Sequence, residues 1–347
     1  MRYKVNPELE FCARLAPLAE EYRANMSVLG DLPPEQFLAD YWQQQPLLVQ
    51  GALADFDSPI SAEELAGMAL EPQVESRLVT TGDAVQPWQL RLGPFAVDDF
   101  KQLPDRDWTL LVQAVDLWFP ELAKLYDRFD FLPRWRTDDI MASYAAPGGS
   151  VGPHFDQYDV FLVQIEGHRR WQISTECDAS TPLLSGTDLQ IIDNFQPVEE
   201  WLLGPGDLLY LPPGVGHWGI AEDACMTFSI GFRSPLLADM LADLAVELSA
   251  QGFDRHYRDP ALVPALGQKQ IDPVFVRHAK RQLLELLDND ALIADWFARY
   301  MTAPKYPDLL EILQESRRAS YMGRDYCNGE PLDLGQGEVR DGDNDAK

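Results

Sequence analysis

Between residues 75 and 233 the chain is cut into short β-rich runs: SRLVTT, WQLRL, DIMASYAA, DVFLVQI, RWQIS, DLLYLP and CMTFSIGF. Gly, Pro and Asp turns separate them, and one stretch, 107–127, reads as a helical insertion. Strands this short and this closely spaced predict an antiparallel sandwich or barrel.

Helical texture flanks this region. Leu15, Leu18 and Tyr22 fall at helical spacing, with Gly30 as a stop, so residues 1–30 are expected to form a helical arm. Pro33-Pro34 opens a short amphipathic helix carrying Phe37, Leu38, Tyr41 and Trp42. Ser61 followed three residues later by Glu64 is a capping-box pattern. After Pro235 come LLADMLADLAVELSAQG, VFVRHAKRQLLELLD and ALIADWFARYM, with a Gly-, Pro- and Asp-containing break at 252–273. The stripe Leu237, Met240, Leu241, Leu244 and Leu248 is a helix-packing surface, within the chain or across a dimer. Residues 323–347 are Gly- and Asp-rich and are expected to be disordered.

The charge is strongly negative, −28 over 347 residues, with 46% hydrophobic residues, enough for a packed core. Residues 31–322 alone hold 45 acidic against 21 basic side chains, a net −24, so the acidity belongs to the folded body. Such a surface repels phosphate backbones and attracts cationic partners, so direct nucleic-acid binding is not expected. Solubility is the plainer explanation of the same charge. Cys12, Cys177, Cys225 and Cys327 are far apart and form no CxxC pair, which argues against a zinc knuckle or a disulfide framework and fits a reducing compartment. No apolar signal core and no membrane-length apolar run are seen, so a cytoplasmic protein is expected.

Three pieces carry chemistry. In Gly152-Pro153-His154-Phe155-Asp156, residues i and i+2 of an extended strand share a face, so His154 and Asp156 can ligate one ion. An isolated HxD is common by chance. The segment from Gly206 to His217 has the far more specific spacing Gly-x5-Pro-x-Gly-x2-His, a strand and rigid bend that deliver His217 to a barrel mouth. Together they make a two-His-one-carboxylate facial triad of the kind that holds non-haem Fe(II) and leaves coordination positions open for a chelating cosubstrate and O2. The third piece is Gly167-His168-Arg169-Arg170-Trp171. Arg169 and Trp171 share one strand face, His168 and Arg170 the other. A guanidinium inside a barrel would grip the far carboxylate of a chelating diacid, whereas by itself such a pair reads as surface charge.

HFD, LLYLPPGVGHWG and GHRRW, with DYWQQQPLLV upstream, resemble the JmjC-type 2-oxoglutarate oxygenases of the cupin superfamily. Within them, GGSVGPHFDQYDVFLVQIEGHRRW is similar to the bacterial ribosomal oxygenases. The resemblance covers residues 31–235 clearly and continues more weakly to about 300. It implies a mainly β catalytic domain, a double-stranded β-helix or jelly roll, over 31–235. It further implies a helical dimerisation region over 236–275 and a partial winged-helix-like region over 276–322. His154, Asp156 and His217 match the family's catalytic iron ligands, and Arg169 its 2-oxoglutarate anchor. One departure stands out. A serine expected to assist 2-oxoglutarate is replaced by Ala145, with Ser143 two residues earlier as the substitute.

The resemblance thus implies a dioxygenase using Fe(II), 2-oxoglutarate and O2, acting as a cytoplasmic homodimer. Its implied substrate is a basic, arginine-containing ribosomal protein, large-subunit protein L-sixteen, hydroxylated at an arginine β-carbon. The alternatives are the same chemistry on another residue or a small molecule, and a non-catalytic cupin-fold, metal-binding assembly factor. Of the remaining residues, His168, His256 and His278 read as surface or packing histidines. Trp218 and Trp171 read as wall and core, and Tyr158 as an entrance residue. Asp159 and Asp207 are read as acidic substrate contacts, or, for Asp207, as a turn residue.

Overall fold

The computed structural model describes residues 27–81, 88–252, 254–262, 269–313 and 316–332. The chain divides into two units, the first ending at Ser234 and the second starting at Pro235. In the first unit the strands are β1 Leu47–Val49, β2 Ser76–Thr81, β3 Trp88–Leu92, β4 Trp108–Val112, β5 Thr137–Ala145, β6 Val160–Glu166, β7 Arg169–Glu176, β8 Glu199–Leu203, β9 Leu208–Leu211, β10 Val215–Ala221 and β11 Cys225–Phe232. One sheet runs β1-β9-β6-β11-β5-β4-β2-β3 and the other β10-β7-β8. Every pairing is antiparallel. The two sheets face each other as a double-stranded β-helix.

Alternation along the strands decides what each face holds. Phe161 and Val163 of β6, Leu208 and Tyr210 of β9, and Met226, Phe228 and Ile230 of β11 point out of the barrel into the main core. The helix Pro34–Asp40 covers that face with Phe37, which packs edge-on against Tyr210 and tilted against Phe161. The capping box of Ser61 and Glu64 starts the helix Ala62–Met68. Val160, Leu162, Leu209 and Leu211 point the other way and meet Trp171, Ile173 and Leu203 of the smaller sheet.

The expected helical insertion at 107–127 is only partly helical. Trp108–Val112 is a strand, followed by short helices at Val115–Trp118 and Pro120–Ala123. β4 lies between β2 and β5 and buries side chains on both faces, so WTLLV has no polar alternation to mark it as a strand.

In the second unit, helices Leu237–Ala250, Pro273–Leu287 and Asp290–Thr302 are followed by a ribbon of β12 Arg318–Tyr321, β13 Arg324–Cys327 and β14 Glu330–Pro331. This corrects the disordered tail expected from 323. Residues 324–331 pair in the ribbon because Met322 and Gly323 both take positive φ, as a tight hairpin turn requires, and because Tyr326 is buried with its hydroxyl donating to Asp295 Oδ1 at 2.9 Å. Most of the expected N-terminal arm, residues 1–26, and the rest of the tail, 333–347, lie outside the described residues.

Candidate active site

His154 does not lie in a long strand. The segment between β5 and β6 is extended only where His154 bridges His217 of β10. The His154 amide donates to the His217 carbonyl at 2.9 Å, and the His217 amide donates back at 2.8 Å. Gly214 of the Pro-Pro-Gly bend donates its amide to the Asp156 carbonyl at 2.7 Å. The two motifs, some sixty residues apart, are therefore laced together by backbone.

The imidazoles are oriented from behind. Nδ1 of His154 lies 2.9 Å from the Gly152 carbonyl, and Nδ1 of His217 lies 2.9 Å from the Val215 carbonyl. A carbonyl only accepts, so each Nδ1 carries a proton, the tautomer in which a neutral ring keeps its Nε2 lone pair for an ion. His217, 2% exposed, has its pKa pushed down to about 4, first by burial and then by His154 beside it, so it is neutral at pH 7. Its Nε2 sits 3.7 Å from Asp156 Oδ2. One ligand atom from each of His154, Asp156 and His217 lies within 4.8 Å of the others. Two imidazoles and a carboxylate suit a divalent first-row metal with open positions.

A serine that sequence reasoning passed over ties the two segments further. The Ser150 hydroxyl accepts from the Gly152 amide at 3.0 Å and from Trp218 Nε1 at 2.9 Å. Its signal is the Gly-Gly-Ser run before the HxD motif. Gly152 takes φ +82°, and a Cβ there would collide with Ile191 Cδ1. Ile191 and Ile192 belong to the β7–β8 excursion, and the Ile192 amide donates to the Pro153 carbonyl at 2.7 Å.

The two arginines divide as the alternation requires. Arg170 is outside, with Nη1 donating to Glu200 at 2.7 Å and Nε to Glu222 at 2.6 Å. Arg169 is inside and 4% exposed, and its Nε and Nη2 have no acceptor among the described residues. A buried guanidinium without an acceptor is costly, and a bidentate carboxylate satisfies it. The Arg169 Cζ lies 5.8 Å from the Trp171 ring centre, and that ring lies 5.8 Å from the His217 ring. The Arg169 Cζ and the His217 ring centre are thus at most twice 5.8 Å apart, a span that would suit a short diacid chelating an ion at one end. The donor set fits both the metal and 2-oxoglutarate.

Ser143 faces the same interior and is buried, with its hydroxyl donating to the Thr227 carbonyl at 3.3 Å. It would have to turn from that carbonyl to serve a carboxylate. Thr227 donates its hydroxyl to Gln164 Oε1 at 3.0 Å, so a buried polar group continues along the barrel floor. Gln164, a lone amide in the apolar run DVFLVQI, was the available signal for it. Ala145 packs against Ala221 and Cys225 and offers no hydroxyl.

Other candidates resolve as structure. Asp207 caps the Gly51 and Gly204 amides, both at 2.8 Å, as a turn residue. Asp159 is not a substrate contact. It is fully buried, accepting from Tyr210 at 2.6 Å and Gln43 at 2.9 Å. Tyr158 is 41% exposed with its hydroxyl against Asp156; burial and that carboxylate push its pKa up, which suits an entrance residue. His168 pairs with Asp223 on the outside at 2.8 Å.

A double-stranded β-helix with this metal cluster and an interior arginine is the architecture of the cupin-fold 2-oxoglutarate oxygenases. A JmjC domain model matches residues 124–240, and an AraC-like ligand binding domain model matches 198–290. The chain is 34% identical over 320 residues to the ribosomal protein uL16 3-hydroxylase of Escherichia coli, covering 86% of this chain and 84% of that protein. It is 40% identical over 240 residues to a protein of Haemophilus influenzae named "Probable ribosomal oxygenase", covering 69% of this chain but only 59% of that protein's length. A solved structure of the Escherichia coli ribosomal oxygenase YcfD with cobalt and 2-oxoglutarate aligns with TM-score 0.76 at 33% identity, over 88% of this chain and 86% of that one. The chain belongs to the JmjC-domain ribosomal oxygenases.

Proposed function

We propose that this protein is an Fe(II)- and 2-oxoglutarate-dependent protein hydroxylase acting on an arginine β-carbon of the large-subunit ribosomal protein L-sixteen. The observation that carries the reading is the convergence of His154, Asp156 and His217 in a barrel whose interior also holds Arg169, with its Nε and Nη2 unpaired among the described residues. The substrate comes from the name of the Escherichia coli relative, and the −24 body favours a cationic partner.

His154, Asp156 and His217 would hold the iron, and Arg169 would hold the far carboxylate of 2-oxoglutarate, with Ser143 as a secondary contact. When bound, the iron and 2-oxoglutarate supply the oxidising chemistry with O2 that inserts oxygen into an unactivated C–H bond. The chain's own residues do the rest. The Gly152 and Val215 carbonyls keep both imidazoles in the ligating tautomer. Val160, Leu162, Leu209 and Leu211 keep water from the barrel interior. Tyr158 and Asp156 mark the side from which a substrate side chain would enter.

The reading extends to a cytoplasmic homodimer. Leu237 and Leu241 on one helix, and Val276, Leu283 and Leu284 on another, are exposed at helical spacing, and a second copy would cover them. Among the described residues, no helix is long and apolar enough to cross a membrane.

The test is to incubate iron-loaded protein with 2-oxoglutarate and a peptide from L-sixteen. The expected result is the mass gain of one oxygen atom on an arginine, with matching succinate release. Unmodified peptide alongside a relative that modifies it would overturn the substrate. Sedimentation of the intact chain tests the dimer.

A further inference from the structure

Six buried side-chain polar atoms lack a hydrogen-bond partner among the described residues, and three of them sit on one strand face. These are Nε and Nη2 of Arg169 and Nε1 of Trp171, two residues apart on the inner face of β7. Trp171 is 4% exposed, as is Arg169. Its benzo edge lies flat over Gly219, its register partner on β10, where a Cβ would come within 2.7–3.0 Å of the ring. That contact fixes the ring but uses no polar atom. The ring centre also lies 5.8 Å from Arg169 Cζ and 5.8 Å from the His217 ring centre.

A buried indole N–H left without an acceptor is destabilising, and large aromatic residues with a polar handle normally find a partner when buried. An apolar ring would pack on Gly219 equally well, so packing alone does not call for the nitrogen. Three donors on one strand face, two of them on a cation whose Cζ lies 5.8 Å from the indole ring centre, call for an anionic acceptor with more than one oxygen. Ala145, Ala221 and Cys225 line the neighbouring stretch of barrel with small side chains and offer no competing carboxylate or hydroxyl.

We propose that the Trp171 indole N–H is a second donor to the far carboxylate of 2-oxoglutarate, sharing it with Arg169. This rests on the oxygenase reading above. Trp171 is then a cosubstrate-binding residue in addition to a wall of the barrel. It takes over the role that a hydroxyl at position 145 would play, and it locks the carboxylate in the plane set by the ring and the guanidinium.

The experiment uses full-length protein loaded with Zn(II), which is diamagnetic and inert to O2. Calorimetry measures the affinities of 2-oxoglutarate and of 2-oxopentanoate, which has the same carbon chain without the far carboxylate. Trp171→Phe is expected to weaken 2-oxoglutarate roughly 10- to 100-fold, the loss of one hydrogen bond to a charged group, while leaving Zn(II) and 2-oxopentanoate unchanged. In the wild type, the indole N–H resonance that Trp171→Phe removes is expected to shift when 2-oxoglutarate is added. Equal 2-oxoglutarate affinity in the two proteins, or a resonance that does not move, overturns the proposal. Equal weakening of both ligands assigns Trp171 to packing alone and also overturns it. A wild type that binds Zn(II) but no 2-oxoglutarate overturns the oxygenase reading itself, a result distinct from the others.

Discussion

His154 and His217 exchange both of their backbone amide–carbonyl hydrogen bonds, at 2.9 and 2.8 Å, and their rings meet edge to face with centres 4.3 Å apart. This isolated bridge joins the segment before β6 to β10. It makes the spacing of the two imidazoles a property of the backbone, so an ion meets ligands that are already placed.

Because the bridge is made by main chain, replacing one ring should spare the fold. His154→Ala is expected to retain the secondary structure and most of the thermal stability, and to lose metal binding by at least 100-fold. Titration of Co(II) into the purified variant, followed by its absorption spectrum, checks this. Wild-type affinity in the variant would remove His154 from the ligand set.

Arg169 should affect the empty and loaded forms in opposite directions. Its Nε and Nη2 are buried without an acceptor among the described residues, so Arg169→Met is expected to stabilise the cosubstrate-free protein by about 1–3 kcal/mol. The same variant should lose the rise in Tm that 2-oxoglutarate confers on the metal-loaded wild type. Thermal melts with and without 2-oxoglutarate read both effects. A destabilised variant that still responds to the ligand would contradict the assignment.

Gly152 is constrained twice, by its positive φ and by Ile191 packed where a Cβ would lie. Gly152→Ala should cost about 1–3 kcal/mol in chemical denaturation and weaken metal binding, since the Gly152 carbonyl orients His154. Adding Ile191→Ala relieves the collision but not the backbone strain. The double variant should therefore recover only part of the loss.

Asp116 sets a pH dependence. Its carboxylate accepts from the Ile140 amide at 2.8 Å and from Tyr126 at 3.0 Å, yet burial pushes its pKa from 3.8 up to about 6. Above pH 6 the folded protein must hold a buried charge that the unfolded chain carries in water. Below pH 3.8 both states are protonated and the penalty is gone. Asp116→Asn is therefore expected to gain about 3 kcal/mol at pH 8, with the gain shrinking as the pH falls from 6 toward 4. Urea titrations at pH 8 and pH 5 check the sign; an equal gain at both would show that the charge is not responsible.

Much of the site is legible in residue order. The HxD pair and the Gly-x5-Pro-x-Gly-x2-His spacing select three residues that do converge. Strand alternation separates Arg169 from Arg170 correctly, because a period of two is a local property of the backbone. Where alternation is absent the reading falters. β4 is buried on both faces, so its run reads as helix, and Tyr326 anchors a ribbon in a stretch that composition marks as disordered. Ser150, Gln164 and Thr227 were missed because hydroxyls and amides acquire their meaning from partners distant in sequence, 68 residues for Ser150 and Trp218.

By itself, the sequence determined which candidate ligands exist and which face of each strand a side chain takes, since residue type and strand period are local. Only the tertiary structure decided that Asp159 is an internal strut while Asp156 joins His154 and His217, and that Nε and Nη2 of Arg169 and Nε1 of Trp171 are buried without acceptors among the described residues. Burial and hydrogen-bond satisfaction are sums over neighbours brought from the whole barrel. No stretch of the chain encodes them alone.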